Sequence, residues 1–342
     1  MFAVIDCGTT YTRIFIVNGR KEVIASGRKK IGVRDTAITG SRDRLHSGLK
    51  DLFYQILRDN CISDKDVGFA IASGMITSEI GLLELPHLVA PVGLEELSEH
   101  IEKVTDQNVL PIDRPVYFVR GVRNDYGENA RAEKLREIDF MRGEEVQCMG
   151  VLARGAEVPC SIVALSSHTK IMYINSDKKI AASNTTISGQ FYEALRDSTS
   201  IGKSIIPVEG EEAGGYSHEE LIEIAGDCVE KAGLGRTLLM PRFLQVLLKT
   251  NSRERGLFVN AAIASDDMKA FDEMRTRGLS SDSYIFYGQK SRCEMYAYML
   301  KKRYGAYLKI RSIHEPDEID ALTVQGSIAV AMRKVNNIDF SK

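Results

Sequence analysis

A short stretch near the start of the chain combines a carboxylate, a flexible backbone and two hydroxyls: Asp6, Cys7, Gly8, Thr9 and Thr10. It lies between two apolar runs, residues 4–5 and 14–17, so we expect Gly8 to open the turn of a hairpin. Amides and hydroxyls in such a turn can surround phosphate oxygens, and Asp6 is placed to hold Mg²⁺ through water. An ordinary turn without a ligand is the alternative.

A diluted copy of residues 4–26 returns without a gap at 162–183. Seven identical residues share one spacing of 157 positions, as Thr12 and Thr169 or Asn18 and Asn175 do. Strand composition alone can produce such a match, but both copies also divide into three apolar runs with Asn-containing turns. We therefore interpret the repeat as a duplication of an antiparallel three-stranded unit.

The second copy replaces the acid-containing turn with hydroxyls and cationic groups: Ser166, Ser167, His168, Thr169 and Lys170. This composition is expected if the second turn binds phosphates from the other side while the first turn supplies the metal ligand. For His168, a hydrogen-bonded structural role is an equal alternative. The common phosphate motifs GxxxxGK[ST] and GxGxxG are absent, so a phosphate loop of another design is required.

Three acids precede the second copy, in the stretch "DFMRGEEVQCMG": Asp139, Glu144 and Glu145. Phosphoryl transfer to an alcohol needs a carboxylate that orients the hydroxyl and accepts its proton. Glu144 follows Gly143 at a predicted helix start and is the first candidate, since Glu145 lies about 100° further round the helix. Asp139 is the second candidate. A solvated helix start, where acids are favoured by the helix dipole, is the alternative for each acid.

Bulk properties exclude several classes of protein. A net charge of −2 over 342 residues gives no general attraction to nucleic acid or anionic lipid. The six cysteines lack metal-ligand or redox spacing, and no apolar run approaches the ~18 residues of a membrane span. With no signal-peptide pattern at the N-terminus, we expect a cytoplasmic protein with a small-molecule substrate and with neither nucleic acid nor membrane partners.

The apolar periodicity beyond the two copies predicts a mixed α/β chain. Helices are expected over residues 44–58, 141–153, 189–195, 218–232, 242–248, 267–275, 291–302 and 318–335, and strands over 67–72, 116–119, 284–287 and 306–310. We predict an α/β fold of two duplicated actin-like (ribonuclease H-like) domains, 1–157 and 158–342. Each is a mixed sheet flanked by helices, with an interdomain nucleotide cleft, and the last helix packs back on domain one.

The chain resembles the 2-keto-3-deoxygalactonokinases (2-dehydro-3-deoxygalactonokinases). Four blocks carry the likeness: "DCGTTYTRIFIV", "SGMITSEIGLLELPHLVAPVG", "DFMRGEEVQCMG" and "LSSHTKIMYI". The resemblance implies ATP- and Mg²⁺-dependent phosphorylation of the C6 hydroxyl of 2-dehydro-3-deoxy-D-galactonate in galactonate catabolism. It also implies sugar-acid contacts from the first domain, made by Arg13, Ser73, Gly74, Met75, Ser78 and Arg142. Arg13, Arg142 and Lys170 match basic family positions that face either triphosphate or carboxylate, and Arg142 has a salt bridge with Glu145 as its alternative.

Some blocks depart from the family pattern. The chain has no Trp, Cys7 replaces an aromatic residue, and the block that approaches adenine in the family reads "LFVNAA" at 257–262. Gly288 remains as a position where backbone can approach adenosine. Rival interpretations are a kinase of another sugar or sugar acid on the same fold, and a non-catalytic nucleotide or sugar-acid sensor. A homodimer is one option for the assembly, which the sequence leaves open.

Overall fold

A computed structural model describes residues 1–127, 130–212 and 214–334. The chain divides into two compact units. The first contains Met1–Val158, Ile174–Ser183 and the segment that begins at Pro316, and the second contains Pro159–Tyr173 and Asn184–Glu315. Among the described residues, no helix has both the length and the apolar character required to cross a membrane.

The first unit is built on a six-stranded sheet with helices. Its strands are β1 (Phe2–Cys7), β2 (Thr12–Val17), β3 (Val23–Lys29), β4 (Phe69–Gly74), β5 (Leu88–Val89), β6 (Glu102–Val104), β7 (Val116–Phe118), β8 (Val122–Arg123) and β9 (Phe140–Met141), and its helices before residue 158 are α1 (Val33–Thr39), α2 (Asp43–Asp59), α3 (Leu94–Glu99) and α4 (Glu144–Ala153). The large sheet has the order β3-β2-β1-β4-β7-β6, while β5, β8 and β9 form a small sheet of their own.

Strand pairing places β1 in the interior of the large sheet. β1 pairs antiparallel with β2 and parallel with β4, and β4 pairs parallel with β7. The residues of β1 from Phe2 to Ile5 are buried on both faces, as expected for a central strand covered by helices. The amphipathic pattern predicted for residues 44–58 is confirmed, because α2 packs Leu49 and Phe53 into the same core.

A second sheet repeats this strand order with five strands, and residues 180–183 of its edge strand belong to the first unit. The elements are β10 (Cys160–Leu165), β11 (Thr169–Ile174), β12 (Ile180–Thr186), α5 (Ser188–Ser198), α6 (Gly202–Ile205), α7 (His218–Ala232), α8 (Leu234–Thr237), α9 (Pro241–Val246), α10 (Ser252–Thr276), β13 (Ser283–Gly288), α11 (Lys290–Tyr304) and β14 (Lys309–Ile313). The sheet order is β12-β11-β10-β13-β14, with β10, β13 and β14 parallel. A final helix, α12 (Pro316–Lys334), belongs to the first unit.

The duplication inferred from the sequence extends to individual hydrogen bonds. In the turn after β2, the Asn18 side chain accepts hydrogen bonds from the amides of Arg20 and Glu22. In the turn after β11, Asn175 accepts the same two bonds at the same spacing. Lys21 and Lys178 occupy the matching left-handed positions, with φ of 67° and 61°. The two repeats therefore share a turn as well as a strand order.

The repeat departs from a single spacing at the two turns that the sequence predicts to bind phosphate. β2 and β11 begin 157 positions apart at Thr12 and Thr169, but β1 and β10 end one position further apart, at Cys7 and Leu165. The turn between the strands is four residues long in the first unit, 8–11, and three in the second, 166–168. The second turn is therefore tighter.

Several predicted boundaries were wrong, as α4, α10 and β14 show. α4 begins at Glu144 instead of residue 141, because Phe140–Met141 pairs with β8 and Gly143 has a φ of 109°. α10 begins fifteen residues before the predicted 267, since Asn251 and Glu254 form a reciprocal capping box. β14 lies at Lys309–Ile313 instead of 306–310. The predicted end of the last helix at Val335 lies outside the described residues.

α4 and α12 cross at two glycines. A Cβ added to Gly150 would lie 2.1 Å from the Leu322 carbonyl oxygen, and one added to Gly326 would lie 1.8 Å from that of Val146. Both obstacles are backbone atoms, which no side-chain movement can clear. The final glycine of the "DFMRGEEVQCMG" stretch therefore serves helix packing.

We expect Gly326→Ala to lower the free energy of unfolding by about 1–3 kcal/mol, because the added methyl group forces the two helices apart. The measurement is urea denaturation followed by circular dichroism. Gly226→Ala in α7 is the matched control, since its Cβ would meet only the Ser265 hydroxyl at 3.4 Å and alanine is the better helix former. A Gly326→Ala variant as stable as this control would contradict the packing role.

Candidate active site

Asp6 lies near the end of β1, where three strands bring polar groups together. It stands opposite Arg13 on β2 and opposite Ser73 on β4. One carboxylate oxygen, Oδ2, accepts hydrogen bonds from Arg13 Nε at 3.1 Å and Nη2 at 2.5 Å. The predicted metal ligand is therefore held by an arginine that the sequence assigned to substrate or phosphate.

A second carboxylate reaches the same arginine from far along the chain. Arg13 Nη1 donates to Asp320 Oδ1, on α12. Burial opposes the charge on Arg13, but Asp6 and Asp320 outweigh it and raise the pKa of the guanidinium. Burial also raises the pKa of Asp320, and Arg13 opposes this effect. Asp320 was missed by sequence reasoning, since nothing in its local sequence connects it with residues 307 positions away.

Ser73 and Gly74 lie beside Asp6 at the end of β4, and these three residues are called the floor of the candidate site. The Ser73 hydroxyl is buried and has no hydrogen-bond partner among the described residues. Gly74 has a φ of 88°, and a Cβ there would lie 2.6 Å from the Cys7 carbonyl oxygen and 3.4 Å from Asp6 Oδ1. The floor thus offers an unsatisfied hydroxyl and a close approach to backbone, two features that suit a polar ligand.

Met75 and Ser78 come next, in a short 3₁₀ turn that is largely self-contained. The Ser78 hydroxyl donates to the Met75 carbonyl at 2.7 Å, and the Met75 side chain packs against the core of the first unit. Of the four substrate-binding predictions in this segment, Ser73 and Gly74 are adjacent to Asp6, whereas the side chains of Met75 and Ser78 already have partners within the protein.

The acids of the "GEE" triplet occupy different environments. Gly143 approaches the floor, because a Cβ there would lie 3.4 Å from Gly74 Cα. Glu145 is buried, and both its carboxylate oxygens accept the Gly143 N–H, at 2.9 and 2.8 Å. Glu144 is half-buried and makes no hydrogen bond or salt bridge within the described ranges. The turn at Gly143 therefore leaves Glu144 partly exposed and directs Glu145 inward.

Burial has the largest effect on the pKa of Glu145. It raises the pKa of this carboxyl to about 8, with a further increase from the Glu144 charge, against which the Gly143 amide and Arg142 act. Asp139, the other candidate base, accepts a hydrogen bond from the Ser183 hydroxyl at 2.5 Å. Glu144 thus differs from its two rivals in having no partner that fixes its carboxylate.

Arg142 forms no salt bridge with Glu145 among the described residues and is held by other groups. Its guanidinium donates to the Thr77 hydroxyl and to the Leu85 carbonyl, both at 2.8 Å. Its nearest contact with a titratable ring is to His87 Nδ1, at 3.5 Å. Burial lowers the pKa of Arg142, with opposing contributions from Glu145, Glu79 and Glu84. The arginine thus ties the Thr77–Leu85 segment to the start of α4.

The first turn predicted to bind phosphate, residues 8–11, is held by contacts with residues 32–34, which the sequence did not single out. Val33 and Arg34 donate backbone hydrogen bonds to the carbonyls of Gly8 and Thr9. A Cβ on Gly32 would lie 2.4 Å from the Thr9 carbonyl. The amides of Thr9 and Thr10 donate to no other residue that the structure describes, so this turn keeps two N–H groups available for an anion.

In the second unit, the turn exposes its serines, whereas the first residues of β11 are buried. Ser166 and Ser167 are exposed, and Thr169 and Lys170 are buried. Ser167 Oγ lies 3.1 Å from His168 Nδ1, and Lys170 Nζ donates to the Thr185 hydroxyl at 2.8 Å. The two serines are therefore the accessible hydroxyls of the turn, and the lysine anchors the strand.

Gly288 lies at the end of the neighbouring strand β13, opposite Leu165. It has a φ of 149°, and a Cβ there would lie 2.3 Å from the Leu165 carbonyl. The "LFVNAA" block lies inside α10, where Phe258, Val259 and both alanines are core residues. Packing therefore requires glycine at 288 next to the second turn.

A buried polar network fixes this second turn. Tyr296 OH donates to Asp267 Oδ2 at 2.5 Å and lies 3.1 Å from Thr169 Oγ1. Arg292 donates to Thr169 Oγ1 at 3.1 Å and to the Ser166 carbonyl at 2.6 Å. Burial raises the pKa of Asp267, opposed first by hydrogen bonds from Ser188 and Tyr296. Helices α10 and α11 thus hold the turn through residues that sequence reasoning missed.

Comparisons with known proteins identify the class of protein. A candidate 2-dehydro-3-deoxygalactonokinase from Sinorhizobium meliloti has the same fold, with a TM-score of 0.73 at 19% identity over 97% of this chain and 96% of its own. A reductive activator for a corrinoid, iron-sulfur protein is more distant, with a TM-score of 0.55 at 12% identity over 97% of this chain and 60% of its own. No curated protein matches the sequence significantly.

The predicted α/β fold of mixed sheets flanked by helices is confirmed, and the Sinorhizobium meliloti protein shares it. The model of the 2-keto-3-deoxy-galactonokinase family matches residues 6–315, so the chain belongs to this family. The protein is a sugar-acid kinase, an enzyme that transfers a phosphoryl group to an alcohol. The resemblance found in the sequence motifs is thereby confirmed.

The raised pKa of Glu145 predicts a pH-dependent stability. The folded state keeps the proton that the unfolded state loses above pH ~4.5, so the free energy of unfolding should fall as the pH rises from about 4.5 to about 8. Glu145→Gln should remove this contribution, which amounts to at most about 1.4 kcal/mol per pH unit. Urea denaturation across this range measures it, with Asp317→Asn, an exposed acid, as the control. Equal slopes in wild type and Glu145→Gln would contradict the assignment.

A pair of tyrosines on α11 tests the second network. Tyr296→Phe should cost about 1–3 kcal/mol of stability, since it leaves buried Asp267 and Thr169 each without one hydrogen bond. Tyr298→Phe should cost under about 1 kcal/mol, because its hydroxyl bonds Glu223 at the surface. Thermal denaturation compares the two variants. Equal losses would show that the hydroxyl of Tyr296 has no special role.

Proposed function

We propose that this protein transfers the γ-phosphoryl group of ATP to the C6 hydroxyl of 2-dehydro-3-deoxy-D-galactonate, a step of galactonate catabolism in the cytoplasm. Family membership supports a sugar-acid substrate. The observation that carries the proposal is the position of Glu144, at the start of α4 and next to Gly143, which approaches Gly74 on the floor that also contains Asp6.

Glu144 is proposed as the base that accepts the hydroxyl proton. A base needs an ionised carboxylate that can approach the substrate hydroxyl. Asp139 is bound to Ser183, and Glu145 is buried against the Gly143 amide with a pKa of about 8. Glu144 alone of the three combines partial exposure with a carboxylate that is unpaired within the described residues.

The residues present fit a magnesium nucleotide. Thr9 and Thr10 have unused amides, Ser166 and Ser167 have exposed hydroxyls, and Asp6 Oδ1 accepts no hydrogen bond within the described chain. No cluster of three or more His, Cys, Asp or Glu among the described residues can hold a metal by itself, so the remaining ligands would be water and phosphate, as Mg²⁺ prefers. When bound, Mg·ATP supplies the phosphoryl group and a cation that offsets its charge.

Substrate contacts are proposed for the floor and its neighbours. The buried Ser73 hydroxyl lacks a partner within the described residues and is suited to bind a substrate oxygen, and Gly74 allows close approach. Arg142 is held by Thr77 and Leu85, so its guanidinium would meet a carboxylate in a fixed orientation. Met75 and Ser78 shape this wall, and Gly288 shapes the nucleotide side next to the second turn.

Two variants decide between the candidate bases. Glu144→Gln should lower kcat by ~10²–10⁴-fold with little change in KM for ATP, whereas Asp139→Asn should lose less than about tenfold. A coupled ADP-release assay over a panel of 2-keto-3-deoxy sugar acids, including both C4 epimers, measures this and identifies the substrate. An active Glu144→Gln alongside an inactive Asp139→Asn would make Asp139 the base. Wild-type enzyme inactive with the whole panel would reject the proposed substrate class.

A further inference from the structure

Arg13 contacts Asp6 in an unusual way. Two of its N–H groups, from Nε and Nη2, converge on one oxygen, Asp6 Oδ2. An isolated arginine–carboxylate pair instead prefers two parallel hydrogen bonds, one to each oxygen. Some further contact must therefore rotate the guanidinium away from the symmetric arrangement.

Asp320 provides that contact. It accepts a hydrogen bond from the remaining guanidinium nitrogen, Arg13 Nη1, and its position is fixed by α12, which crosses α4 at Gly150 and Gly326. With Nη1 bound there, Asp6 Oδ1 accepts no hydrogen bond from any described residue and faces Gly74, whose Cβ position lies 3.4 Å away. The arginine thus neutralises one edge of Asp6 and leaves the other edge uncovered.

We propose that Asp320 is a positioning residue that holds Arg13 on a single oxygen of Asp6, so that the second oxygen stays available to a nucleotide-bound divalent cation. The inference rests on the proposed function, since it assigns the cation to Asp6. Asp320 itself touches neither substrate nor cation in this scheme and acts through Arg13.

The test measures cation binding directly. Free Mn²⁺ is titrated by electron paramagnetic resonance in the presence of saturating ADP and wild-type protein, Asp320→Asn or Asp317→Asn, the last removing an exposed acid from the same helix. Asp320→Asn should bind Mn²⁺ about tenfold more weakly, because Arg13 released from Asp320 can then pair with both oxygens of Asp6, and Asp317→Asn should differ by less than about twofold. Turnover of Asp320→Asn should recover at high Mg²⁺, which a loss of folded structure would not allow.

The same titration in an Arg13→Gln background shows whether Asp320 acts through the arginine. There Asp320→Asn should change the Mn²⁺ affinity by less than about twofold. A tenfold loss in this background, wild-type affinity in the single Asp320→Asn variant, or an equal loss in Asp317→Asn would each overturn the proposal. Failure of the proposed function is separate, because it would appear as wild-type protein that binds Mn²⁺·ADP but phosphorylates no sugar acid of the panel.

Discussion

The close crossing of α4 and α12 is the constraint on which the candidate site of the first unit depends. It is possible only because Gly150 and Gly326 place no side chain between the helix backbones. α4 begins at Glu144, the proposed base, and α12 carries Asp320 to Arg13. One packing contact therefore sets the positions of two acids that lie far apart in the sequence. A shift at this crossing would move both acids relative to the β1 floor.

Burial and pairing assign different chemistry to acids of the same type. Asp6 is paired on one oxygen and open on the other, which suits a cation ligand. Glu145 is buried with a raised pKa and satisfies the Gly143 amide, which suits a structural role. Glu144, its neighbour in sequence, is half-buried and keeps its carboxylate available within the described chain. The difference in burial between Glu144 and Glu145 follows from the helix geometry at Gly143.

Local patterns made much of this fold predictable. The hairpin turns and the apolar stripe of α2 depend on residues close together in the sequence, so periodicity and turn chemistry were sufficient to predict them. Asp320 and Asp267 were not predictable, because each acts through a partner in another part of the chain, Arg13 or Tyr296. The early start of α10 was missed because its cap at Asn251 lies before a block that family likeness had assigned to adenine. Long-range pairs leave no periodic signal in the sequence, so the residues that support the two turns, such as Asp320 and Asp267, were not predicted.

The two repeats support their turns by different means. Arg13 and Lys170 occupy matching positions, but Arg13 binds the carboxylates Asp6 and Asp320, whereas Lys170 binds the Thr185 hydroxyl. β10 ends in apolar residues with no acid, and the acid that supports its turn is Asp267, buried on α10 and reached through Tyr296. A buried, hydrogen-bonded carboxyl with a raised pKa is a poor ligand for a hydrated cation. The cation site proposed for this kinase therefore belongs to the first repeat. In the second repeat, the groups proposed to bind phosphate are the exposed hydroxyls of Ser166 and Ser167.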